Sequence, residues 1–72
     1  MKLTIIIEKG DNELWGRIEN VPSYLPVTSG ETLEKVTSNL KDLLDDFIEN
    51  EGQNYQEWRH LKASDFEFDY VS

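Results

Sequence analysis

The chain has 72 residues, a formal net charge of -8 and a hydrophobic content of 38%. A chain this short forms one small domain that buries only about 60% of the surface its unfolded form exposes, so modest stability is expected. With no cysteine and one histidine it has neither disulfides nor a His/Cys metal site to staple it, and its excess of acids disfavours direct nucleic-acid binding, which needs clustered Lys and Arg against phosphates.

No apolar run approaches the roughly 20 residues of a membrane span. The N-terminal run from Met1 to Ile7 is too short, and lacks the small-residue cleavage site, for a signal peptide. The expectation is a cytoplasmic protein without membrane partners, a single domain over residues 1–72, with no cofactor and no metal.

In chain order, Leu3 to Ile7 is β-branched and apolar on both alternating faces, which predicts a central, covered strand. Lys9-Gly10-Asp11-Asn12 is a turn cluster. Leu14 to Val21 alternates, with Leu14, Gly16 and Ile18 on one side and Trp15, Arg17 and Glu19 on the other, so these two strands form a hairpin. Pro22 and Pro26 bracket a turn that includes Ser23. A short third strand follows over Leu25 to Ser29, at a sheet edge where Pro26 is tolerated.

Thr32 then reads as a helix N-cap, with Glu34 in the first turn at the positive end of the dipole. Leu33, Val36, Leu40, Leu43, Leu44, Phe47 and Ile48 fall at the three-and-four spacing of one buried stripe. Gly52 is expected to stop the helix. Tyr55, Trp58 and Leu61 recur at intervals of three and predict a short second helix or helical turn. Phe66, Phe68 and Tyr70 alternate with Glu67, Asp69 and Val71 in a last strand with an aromatic face.

A crossover through a helix into a parallel strand is right-handed in nearly all cases, which places the last strand beside the first. The predicted class is α+β: a small three-stranded antiparallel meander, a covering helix and a fourth strand, β-β-β-α-β with sheet order 3-2-1-4.

The charge is uneven. Residues 1–41 carry six acids against five bases, whereas residues 42–72 carry nine acids against Arg59 and Lys62. A basic partner matches the second half electrostatically; the bland alternative is a solvated acidic surface that keeps a small protein soluble.

The chain resembles the HicB family of antitoxins, whose N-terminal domain is a partial RNase H-like fold. The likeness rests on Ile5-Ile6-Ile7-Glu8 in the first strand, Trp15-Gly16-Arg17-Ile18 with Val21-Pro22 in the second, then Pro26, Thr28, Gly30, Thr32, Leu33 and Glu34, and the closing Phe66-Glu67-Phe68-Asp69-Tyr70. It departs from the family in having Tyr24-Leu25-Pro26 at the usual Pro-Gly-small turn, and Val36 where Ala is common. The resemblance implies a non-enzymatic antitoxin that binds and blocks a small basic RNA-cleaving toxin of the HicA type. Many such antitoxins also carry a C-terminal DNA-binding module, which residues 1–72 are not expected to contain.

Charge points to Asp42, Asp45, Asp46, Glu49, Glu67 and Asp69 as toxin-binding residues. Two roles stay open for Trp15, Tyr55, Trp58, Phe68 and Tyr70: packing against helix and sheet, or an aromatic contact or edge through which a homo-oligomer, most simply a dimer, is formed by strand addition. Two other functions are weighed, a general interaction or oligomerisation module of the same fold and an RNase H-like nuclease. The nuclease needs carboxylates converging on paired metals, one from the middle of the first strand; that strand holds Thr4-Ile5-Ile6-Ile7 there, with Glu8 only at its end. His60 has no Ser, Cys or Asp at triad spacing and reads as a surface residue. No catalytic residue is expected.

Overall fold

The computed structural model describes residues 2–22 and 24–71; Ser23, within the Pro-bounded turn, lies outside the described residues, as do Met1 and Ser72. The elements are β1 (Lys2–Lys9), β2 (Leu14–Ile18), β3 (Val27–Gly30), α1 (Leu33–Asn50) and β4 (Glu67–Val71), with 3-10 turns at Gly52–Asn54, Gln56–Trp58 and Ala63–Asp65 between α1 and β4. They form one sheet in the order β3-β2-β1-β4, antiparallel except where β4 runs parallel to β1. This is the β-β-β-α-β layout expected from the alternation, the hairpin spacing and the crossover rule.

The β1–β2 hairpin pairs Ile5 with Ile18 through Lys9 with Leu14. Its turn is closed by Gly10 N–H donating to Glu13 O at 2.8 Å, with Asn12 at φ 62°. Past Ile18 the ladder ends on a side chain: Thr4 N–H donates to Asn20 Oδ1 at 3.0 Å. β1 is central, as its composition predicts, but only one of its faces is covered. Leu3 and Ile5 are buried beneath α1, whereas Ile6 on the opposite face is half-exposed.

Helix α1 begins as expected, with Thr32 Oγ1 accepting from Lys35 N–H at 3.1 Å. Its buried stripe is Val36, Leu40, Leu44, Phe47 and Ile48; Leu33 projects beyond the sheet and is 46% exposed. The expectation for Gly52 changes in mechanism. The helix ends at Asn50, and Gly52 opens the first 3-10 turn without a positive φ. It is buried, and a Cβ there would meet Ile48 Cγ2 at 3.3 Å, so close packing explains the glycine better than left-handed geometry.

The segment expected to be a short second helix or helical turn is a chain of 3-10 turns that, together with Tyr24, lays aromatic rings over the end of α1. Tyr24 stacks on Phe47 with centroids 5.3 Å apart, Trp58 meets Phe47 edge-on at 5.8 Å, and Phe66 lies 4.9 Å from Trp58. Offset and edge-to-face arrangements of this kind add to the burial energy of large rings. They continue the core made by Leu3, Ile5, Ile18, Val21, Val36, Leu40 and Leu44.

Candidate protein-interaction surfaces

The six acids singled out by charge do not form one surface. Asp42, Asp45, Asp46 and Glu49 are exposed on α1, above the sheet. Glu67 and Asp69 lie opposite Lys2 and Thr4. Alternation therefore puts them on the sheet face away from α1, because their neighbours Phe68 and Tyr70 pair with the helix-facing Leu3 and Ile5. One flat partner cannot cover both groups. Asp45 also has a structural task, since its Oδ1 accepts from Ala63 N–H at 2.7 Å and ties the third 3-10 turn to the helix. Asp46 accepts from Asn50 Nδ2 through its backbone carbonyl and Oδ1.

Among the described residues no layer covers the sheet face away from α1. Val27, Arg17, Ile6 and Val71 stand opposite one another in a row across all four strands, with Glu8 and Trp15 paired one row further on. Arg17 Nη1 donates to Glu8 Oε1 at 2.6 Å, and Arg17 Nε lies 3.6 Å from Glu19. The hydrogen bond to Glu8, reinforced by both carboxylates, raises the Arg17 pKa above its usual value. Glu8 is thus held by a guanidinium. Sequence reasoning passed over this pair, although opposite charges on the same face of a hairpin become visible once the register is set.

The aromatic residues left open between packing and contact divide. Trp58, 5% exposed, belongs to the core and is not available to a partner. Tyr55 is half-buried against Phe47. Trp15 is 43% exposed on the uncovered sheet face and Tyr70 48% exposed at the edge of β4, so of the two roles left open for Tyr70, packing in the core does not hold. Phe68 is half-buried, with Lys41 Nζ over its ring at 5.6 Å from the centroid. Beyond them a groove runs between α1 and β4, with Leu33, Thr37, Lys41, Lys62 and Tyr70 among its lining; Thr37 Oγ1 and Tyr70 Oη are 3.4 Å apart.

His60 sits exposed in a turn at φ 63°. Among the described residues no group of three or more His, Cys, Asp or Glu side chains is placed to hold a metal ion, and no helix is long and apolar enough to cross a membrane. Comparison with protein-family models, curated proteins and solved structures finds no match to this chain.

Proposed function

We propose that this chain is a non-enzymatic antitoxin domain that binds and neutralises a small basic RNA-cleaving toxin of the HicA type, as its resemblance to HicB-like antitoxins implies. The observation that carries the reading is where the charge falls on the fold. The nine acids of residues 42–72 lie on the C-terminal half of α1, its C-cap Glu51, the 3-10 turns and β4, while the N-terminal hairpin and β3 are nearly balanced. Such a field steers a cationic protein into encounter and repels nucleic acid. Neutralisation then consists of occupying the basic surface with which the toxin would hold RNA.

Co-expression with a small basic RNA-cleaving protein of the HicA type tests the proposal. A stable complex in which the toxin's RNA cleavage is suppressed is the expected result. No complex, or cleavage unaffected by a saturating excess of this chain, would sink it. A second reading, a homotypic interaction module, draws on Trp15, Val27 and Val71, which are exposed together on the uncovered sheet face. A dimer through that face is broken by Trp15→Lys, as read by light scattering.

A further inference from the structure

Among the described residues, strand β4 has β1 on one side and no strand on the other. The sheet's second edge is less open to pairing. β3 has four residues, starts directly after Pro26, and its Ser29 carbonyl already accepts from Asn39 Nδ2 at 3.4 Å. An unpaired edge is a template for another strand, and its side chains decide which strand it takes.

Along β4 those side chains alternate sharply. Glu67 and Asp69 project on the uncovered face, and Phe68 and Tyr70 project toward α1. Residues of an added strand stand beside those of β4 on the same face at the same two-residue period. Next to Glu67 and Asp69 a cation is favoured. Beside Phe68, and beside Tyr70 in the groove with Leu33 and Thr37, an apolar side chain is favoured. We infer that the β4 edge accepts a strand from a basic partner in which Lys or Arg alternates with apolar residues, the cations meeting Glu67 and Asp69 and the apolar side chains meeting Phe68 and Tyr70. This rests on the partner-binding reading above and specifies its interface.

A second copy of the chain is the wrong occupant. Antiparallel self-pairing about a two-fold axis keeps each face in register, so Glu67 and Asp69 of one copy would stand beside those of the other, and like charges on neighbouring strands are destabilising. Each copy also carries a net charge of -8. Lys2 approaches Asp69 at 3.8 Å, but with both side chains more than half exposed this pair is a weak competitor for an incoming cation.

The test uses the whole chain, isotopically labelled, and an end-capped synthetic peptide Lys-Val-Lys-Val-Lys-Val-Lys. Amide shifts centred on Glu67–Val71 and reaching Thr37 and Lys41 are expected. A peptide of the same composition with its lysines and valines in separate blocks should bind at least tenfold more weakly, as should one N-methylated at alternate backbone nitrogens. The double variant Glu67→Lys/Asp69→Lys, checked for unchanged circular dichroism, should lose binding by a similar factor. Equal binding of the block peptide, shifts confined to α1 or to the uncovered face, or a dimer of the free chain paired through β4 would each overturn the inference. Capture of the basic toxin without any shift on β4 would also overturn it and leave the antitoxin reading intact. Peptide binding at β4 in a chain that captures no toxin supports the edge and removes the antitoxin reading alone.

Discussion

Gly16 on β2 lies directly beneath Val36 of α1: a Cβ built on the glycine would stand 2.5 Å from Val36 Cγ1 and 3.2 Å from Leu40 Cδ1. The helix approaches the sheet this closely because β2 has no side chain at that point. The glycine and the valine are complementary in volume. Gly16→Ala is expected to destabilise the domain by about 1–3 kcal/mol through overpacking. Val36→Ala alone leaves a cavity and also destabilises. Together they should be less damaging than the sum of the two, with a coupling of at least about 0.5 kcal/mol, because each residue fills the volume the other vacates. Urea denaturation of the four proteins in the cycle measures it.

Trp58 and Trp15 give a second prediction. Trp58→Ala removes a buried ring that touches Phe47 and Phe66, at a cost of about 3–5 kcal/mol. A domain of 72 residues has a total stability of only about 4–10 kcal/mol, so this variant should lose a large share of it and melt well below the wild type. Trp15→Ala, on the uncovered face, should change stability little. Iodide quenching of the single-tryptophan proteins Trp15→Phe and Trp58→Phe separates the two sites. The fluorescence of Trp15 should be strongly quenched and that of Trp58 protected.

Asp45 joins the helix to the 3-10 turn at Ala63 in the manner of a capping carboxylate. Asp45→Ala should cost about 0.5–2 kcal/mol, the range for losing a cap, with hydrogen exchange accelerating over residues 62–66 rather than across the sheet. Asp42→Ala, on the same helix with its side chain exposed, should leave both measurements unchanged. A loss of partner binding on mutating Asp45 therefore has to be read against this structural effect.

His60 holds φ 63°, a left-handed conformation that costs an L-residue about 1–2 kcal/mol. His60→Gly removes that strain but loosens the unfolded chain, by roughly 0.5–1 kcal/mol. The net expectation is neutral to slightly stabilising in thermal melts. Marked destabilisation would show that the imidazole makes contacts its exposure does not imply.

Much of this fold was legible before the structure. The alternation of Leu14, Gly16 and Ile18, the cap at Thr32 and the stripe through Ile48 each carried a period that only one element satisfies, and the crossover rule then placed β4 beside β1. Of the two readings open for Tyr55, Trp58 and Leu61, the helical turn is the one found: a strict spacing of three is the period of a 3-10 turn, not the 3.6 of an α-helix. Exposure was harder. Ile6 is as apolar as Ile5, so composition could not reveal that the sheet is covered on one face only. Leu33 and Tyr70 carry the period of core positions but lie where the cover of α1 over the sheet runs out. The acids were seen as one group because sequence distance says nothing of the sheet standing between α1 and the outer face of β4.

That division sets the last prediction. If a basic partner is held through β4, Glu67 and Asp69 act at contact, whereas Asp42, Asp46 and Glu49 act through the long-range field. Contact charges govern the dissociation rate and distant ones the association rate. Asp42→Lys/Asp46→Lys/Glu49→Lys should therefore slow association several-fold at about 0.05 M salt and have little effect at about 0.5 M, where the Debye length is only a few Å. Glu67→Lys/Asp69→Lys should speed dissociation at both. Stopped-flow mixing with that basic partner across a salt series separates the two rates. An association rate that is independent of salt in the wild type would show that the acidic field has no part in encounter.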